Sequence, residues 1–308
     1  MVSPLINESP FVNRFLTKSV AMRSHVAIIV YTRACHLRPG PNIQSKRPAS
    51  MTQRGLPGDA RANHFQNSRE FRMPLSNATD DARHALASNG SLRAAINTGN
   101  PVLARRDRGS GGLAGVSVDL ANAIGAQLGV AVRLVAYASA GAVTAAIDRD
   151  EWDLAFLAID PTRAEKIVFS HPYLTIEGTY VVRAGSTFRL AVDVDQAGVT
   201  IAVSENAAYD LFLSRTLRHA TLVREKSAVD VLARFDRQEV TAMAGIRQAL
   251  DAFARGRADL RVLPDRFMVI EQALAVAKTR ASAAAFLQSF IAEAIASGFV
   301  AAAIGRHA

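Results

Sequence analysis

The chain has 308 residues, 49% of them apolar and 20% charged, with one Cys and a formal charge of +9. That balance excludes a wholly disordered chain, the lone Cys excludes an internal disulfide or a cysteine-built metal cluster, and no stretch reaches the roughly 18–20 uninterrupted apolar residues of a membrane-spanning helix. The positive charge is concentrated at the start: residues 1–90 carry 12 basic and 5 acidic side chains, residues 91–308 carry 24 and 22. A nucleic-acid footprint belongs on the folded surface, so no nucleic-acid partner is expected.

Residues 1–90 show no sustained period. Pro39, Gly40, Pro41, Pro48, Gly55, Pro57 and Gly58 punctuate them. Such composition does not offset the entropy of ordering, and the stretch reads as a disordered leader. Its apolar run at 26–31 is shorter than the usual 7–15 residues of a secretory core, and Thr32-Arg33-Ala34-Cys35 is a poor cleavage site. The expectation is a degenerate signal or a misassigned start, with Met73 as an alternative first residue.

From Leu92 short β-like runs alternate with helical periods. Strands are expected at 92–96, 132–136, 152–159, 179–183, 199–204, 240–245, 261–263 and 273–278. Leu120, Ile124 and Leu128 repeat at helical spacing before Gly129; Tyr209, Phe212, Leu213, Thr216 and Leu217 mark a second helix; Phe286, Phe290, Ile291 and Ile295 mark a third. The alternation predicts an α/β protein with parallel sheets, helices on both faces, and two lobes around a cleft. Trp152 and Phe156 read as core, and Asp119 as a residue that caps or orients the first long helix.

Five blocks stand in one order: Leu92-Arg-Ala-Ala-Ile-Asn97, Gly115-Val-Ser-Val-Asp119-Leu, Trp152-Asp-Leu-Ala-Phe, Asp160-Pro-Thr-Arg163-Ala-Glu-Lys, and Phe169-Ser-His-Pro-Tyr173. Together they resemble the extracellular solute-binding proteins of family 3, the amino-acid-binding components of ABC importers. The resemblance covers essentially all of 91–308. It implies a two-lobed, periplasmic-binding-protein-like fold of type II with two hinge crossovers. Lobe 1 would comprise 91–182 plus 273–308, and lobe 2 would comprise 183–272. It also implies a monomer in the periplasm that clamps an amino acid or related small carboxylate and delivers it to an ABC permease. No cofactor and no metal are expected.

Arg163 is the first candidate for the ligand site. A guanidinium offers a planar fork matched to a carboxylate, and this one follows a strand end and opens a turn that begins with Pro161. The resemblance implies that Arg163 grips the ligand's α-carboxylate. Leu157, on the preceding strand, joins the expected set. Asp160 stands where the family usually has Thr or Ser, and it reads equally well as an N-cap. Asn97 and Asn100 end the first strand, where their amides suit either a polar ligand or a plain turn. In lobe 2, Ser204-Glu205-Asn206-Ala207 leads from a strand into a helix, and the resemblance places carboxylate contacts at Asn206 and the backbone of Ala207.

The main departure is Ile246. It stands where amino-acid binders of the family usually have an Asp that accepts the ligand's ammonium, and an unpaired buried ammonium costs several kcal/mol. Two alternatives follow: Asp160 takes over that role, or the ligand is an organic acid without an ammonium and Arg247 adds a second positive group. None of the common hydrolase, metalloprotease or phosphate-loop motifs is present, so an enzyme is not expected. A dehydratase-like activity, with Glu177 and His171 as an acid–base pair, is the alternative, beside a sensor-type ligand-binding domain.

Overall fold

The structure, a computed structural model, describes residues 77–107 and 109–307. The apolar run at 26–31, Cys35 and the alternative start at Met73 lie outside the described residues. Helix α1 (Asn77–Leu86) and strand β1 (Ser91–Asn97) open the described part. The hairpin of β2 (Arg105–Arg106) and β3 (Leu113–Ala114) leads to α2 (Val116–Leu128), β4 (Ala131–Tyr137) and α3 (Ala140–Ala145). Next come β5 (Leu154–Ala158), the single turn α4 (Pro161–Ala164) and the long β6 (Ile167–Arg183). The chain continues through β7 (Thr200–Ser204), α5 (Ala208–Thr216), β8 (Thr221–Glu225), α6 (Ala228–Asp236), β9 (Ala242–Ile246), α7 (Arg247–Ala254) and β10 (Leu260–Val262). It ends with β11 (Met268–Ala277), α8 (Ala284–Ala296) and α9 (Phe299–His307).

The strands run in the order β4-β1-β5-β11-β6-β9-β7-β8, with β10 on β6. The parallel pairs are β1–β4 and β1–β5 in one lobe, and β7–β8 and β7–β9 in the other. The expectation of parallel sheets therefore holds for the outer strands only. The two strands shared by both lobes, β6 and β11, are antiparallel to each other and to their neighbours β9 and β5. Their pairing shifts register around Gln272, Ala273 and Ala275, opposite Pro172. Proline has no N–H for a ladder, and a bulge is where a strand tolerates it. That proline, and Gly178 further on, interrupt the strand-like residue pattern of β6, so only its far end, 179–183, reads as a strand from sequence.

Sequence accounts for the rest of the frame locally. β5 and β9 are buried along their whole lengths, as strands covered on both faces are. α2 stops at Gly129, whose φ of 66° is the left-handed C-cap that glycine adopts without strain. The stretch expected as leader is too long at its far end. Ala82 and Leu86 of α1 are fully buried in the first core, and Arg83 Nε donates to the Leu128 carbonyl at 2.8 Å. Asp119 does not cap α2; it accepts from Arg306 at 2.8 Å and sits 3.0 Å from the His307 ring.

Trp152 is buried and donates its indole N–H to the Val143 carbonyl at 2.9 Å. Its neighbour Asp153 is the electrostatic pin of this lobe. Its carboxylate accepts from the Arg93 backbone at 2.8 Å, from the Arg93 guanidinium at 3.0 and 2.8 Å, and from Arg280 at 2.8 Å. The first cause that raises the Arg93 pKa is this hydrogen bond. Replacing Asp153 with Ala leaves both cations with only the exposed Asp150 as a carboxylate partner, 3.3 Å from Arg93 and 2.7 Å from Arg280. Asp153→Ala is expected to lower Tm by roughly 5–10 °C, read by calorimetry.

Candidate functional site

The carboxyl ends of β1, β5, β7 and β9 converge on one cavity of about 130 Å³, the place where open α/β sheets hold ligands. Asn97, Ala158, Ser204 and Ile246, each at the end of its strand, line it. The lobes are apposed over this space. Gly141 of α3 lies so near the second lobe that a Cβ there would sit 2.6 Å from the Glu205 carbonyl and 3.0 Å from Asn206 Cβ.

Arg163 reaches the cavity because Pro161 starts α4 directly after β5, with Asp160 as its N-cap. The side chain is buried, and its guanidinium bridges the lobes. One Nη donates to the Ala158 carbonyl at 3.0 Å, the other to the Asn206 carbonyl at 2.8 Å. Its Nε has no partner among the described residues. Burial pulls its pKa down to about 10, against the pull of Asp160, so the group stays charged at neutral pH. A buried cation that donates only to neutral carbonyls, with an N–H left over, is a receptor for an anion.

The other polar walls also offer donors. Asn97 spends its carbonyl oxygen on Gly99 N at 3.0 Å, and Asn100 spends its own on Val102 N at 3.1 Å. Their amide N–H groups have no partner among the described residues. Ser139 Oγ accepts from Ala142 N at 3.1 Å and so caps α3. Across the cleft, Ala207 is the N-cap of α5 without a side-chain cap. Its own N–H is spent on the Ser204 carbonyl at 3.1 Å, contrary to the ligand contact expected of its backbone, so the N–H groups offered to the cavity at this helix start begin with Ala208. The remainder of the wall is apolar, with Leu157, Ile246, Leu250, Val231 and Ile270 among its members.

Of the nine residues expected to contact ligand, six line the cavity: Asn97, Asn100, Leu157, Arg163, Ala207 and Ile246. Three do not. Asp160 Oδ1 accepts from Thr162 N at 2.9 Å, and Oδ2 accepts from Arg215 at 2.6 Å across the cleft. Both oxygens are thus committed to a cap and an interlobe bridge. Asn206 is exposed, in the left-handed region at φ 58°, and meets Arg163 through its backbone carbonyl rather than its amide. Arg247 turns away: it pairs with Glu177 at 2.8 Å and donates to the carbonyls of Leu263, Pro264 and Asp265. Gln272, Ser139 and the apolar residues of α6 and α7 were not foreseen. They come from segments distant in sequence, and only the return of β11 and the facing of the lobes brings them together.

Asp160→Asn keeps the cap, since Asn and Asp are equivalent there, but removes the charge that Arg215 meets. Asp160 is 5% exposed but Arg215 is 40% exposed, so solvent screens the pair from the Arg215 end and its contribution is about 1 kcal/mol. Titration calorimetry is expected to show affinity weakened by no more than about fivefold, not abolished.

The architecture is that of solved binding proteins. A mutant of ArgBP from T. maritima superposes with a TM-score of 0.63 at 24% identity, covering 74% of this chain and 98% of that one. An amino acid ABC transporter substrate-binding protein from Streptococcus pneumoniae, bound to L-arginine, gives a TM-score of 0.64 at 20% identity, covering 73% and 97%. The ancestral amino acid-binding protein AncCDT-1, a precursor of cyclohexadienyl dehydratase, gives 0.62 at 18% identity, covering 75% and 99%. No curated protein sequence matches this chain. The family model for bacterial extracellular solute-binding proteins, family 3, matches residues 92–307, and the chain belongs to that family.

Proposed function

We propose that this chain is the periplasmic receptor of an ABC importer, a monomer that closes its two lobes over a small carboxylate and hands it to a permease. The observation that carries this reading is Arg163: a buried, charged guanidinium in the interlobe cavity whose Nε–H has no partner among the described residues. A carboxylate entering there gains charge-assisted hydrogen bonds and relieves the burial of the cation. Because Arg163 also bridges to Asn206, ligand and closure reinforce one another. The hinge is read at the two shared strands, where β6 exchanges β11 for β9 at Gly178. That is ahead of the hand-over at 182/183 expected from sequence.

Catalysis fits less well. Glu177 is held by Arg247 and by Arg266 at 2.7 Å, and His171 lies six positions earlier on the same strand, about 20 Å away. Neither lines the cavity. A thermal-shift screen of the full chain with the twenty amino acids and a set of small organic acids tests binding. A ligand present at about a hundred times its Kd stabilises the folded state by about 2.7 kcal/mol. At least one small carboxylate is expected to raise Tm, and a flat response across both sets would refute the reading.

A further inference from the structure

We propose, on the reading that this cavity is the ligand site, that its ligand is a monoanionic carboxylate without an ammonium group, such as a short oxo, hydroxy or aliphatic acid. The charge balance points there first. Among the described residues that line the cavity, Arg163 is the one charged side chain; no Asp, Glu, Lys or His accompanies it there. A monoanion makes the closed cavity neutral. A zwitterion would leave one positive charge sealed in it, and a dicarboxylate one negative charge.

The hydrogen-bonding inventory agrees. Most of the groups left over among the described residues are donors: the Arg163 Nε–H, the amide N–H groups of Asn97 and Asn100, and the first turn of α5 from Ala208. The buried amide of Gln272 adds one neutral acceptor oxygen, which carries no charge to balance an ammonium. An ammonium needs a counter-charge, and four carboxylates of the described residues around the cleft are engaged elsewhere. Asp160 is taken by Thr162 and Arg215, and Glu177 by Arg247 and Arg266. Glu205 is paired with Lys226, and Asp210 with Asn206 N and Arg224. Where an acceptor would be most useful, at the end of β9, Ile246 presents hydrocarbon.

Size sets the rest of the class. The volume of about 130 Å³ is close to that of engineered apolar cavities that hold roughly six heavy atoms. With the carboxylate on Arg163, a short apolar remainder is left to meet Ile246, Leu250 and Ile270.

Titration calorimetry of the full chain with matched pairs tests this: pyruvate against L-alanine, and α-ketobutyrate against L-α-aminobutyrate, with L-arginine as a further arm. The acid of a pair is expected to bind about a hundredfold tighter than its amino counterpart, because burying an unpaired ammonium is costly. Ile246→Asp, checked for folding by circular dichroism, is expected to narrow or reverse that ratio. If the amino acids, or L-arginine, bind as well as the acids and do so through Arg163, the exclusion of ammonium is overturned while the ligand site stands. If no member of the panel gives heat, the small-carboxylate reading falls together with it.

Discussion

Arg163→Met is expected to cut ligand-induced stabilisation to about a third or less, at ligand about a hundred times the parent Kd, while leaving the unliganded protein close to its parent in Tm. The two halves of this expectation come from different terms. Truncating one partner of a buried, hydrogen-bonded charge pair costs about 2–5 kcal/mol of binding, so affinity should fall between about thirtyfold and several thousandfold. In the unliganded protein the same change removes a buried cation whose pKa is drawn down to about 10, a burial cost on the order of 3 kcal/mol. It also strips a donor from the carbonyls of Ala158 and Asn206, which costs about 1–3 kcal/mol each. These oppose one another, and Tm should stay within about 4 °C of the parent. Calorimetric melting with and without ligand measures both. A variant that loses Tm heavily in the absence of ligand would make Arg163 a structural residue instead.

The second large effect acts on closure alone. Gly141 lies within α3, where Ala is the better helix former by about 1 kcal/mol. Yet a methyl group there would press on Glu205 and Asn206 of the facing lobe, one contact of 2.6 Å being to backbone. Gly141→Ala is therefore expected to hold or raise Tm without ligand and to weaken ligand binding by about tenfold, by penalising the closed state. Gly141 does not line the cavity, so the loss would not come from altered ligand contacts. Small-angle scattering should show a larger radius of gyration for the variant in the presence of ligand. Unchanged affinity would mean that the lobes need not approach this closely.

Much of the frame was legible because it rests on local rules. The runs that became β5, β7 and β9 carry no charge, those of β1 and β4 are broken by a single Arg each, Arg93 and Arg133, and α2 has its helical stripe and stop glycine. What escaped was not local. β8 is a half-exposed strand whose Arg224 and Glu225 break the apolar pattern, and its place is set by pairing with β7. In α1 only Ala82 and Leu86 signal burial, one turn apart among polar neighbours, so the helix read as leader.

The site divides the same way. Arg163 was readable because a strand end, a proline and an arginine stand in one short block. For Asp160 the N-cap and the ligand contact were equally legible, and the partner that occupies its second oxygen, Arg215, is 55 positions away on the facing lobe. Arg247 sits beside a cavity residue in sequence, but its guanidinium finds three carbonyls and Glu177 on the far side of β9. Adjacency along the chain does not specify which face a side chain serves.

A crystal structure of the full chain with its bound solute is the most direct test of the central claim, that Arg163 anchors a carboxylate between closed lobes. The expected result is a carboxylate oxygen about 2.8 Å from the Arg163 guanidinium, with no amino group on the solute and the Asp160–Arg215 bridge intact. A solute seated elsewhere, or one whose carboxylate leaves Arg163 bound only to Ala158 and Asn206, would contradict it.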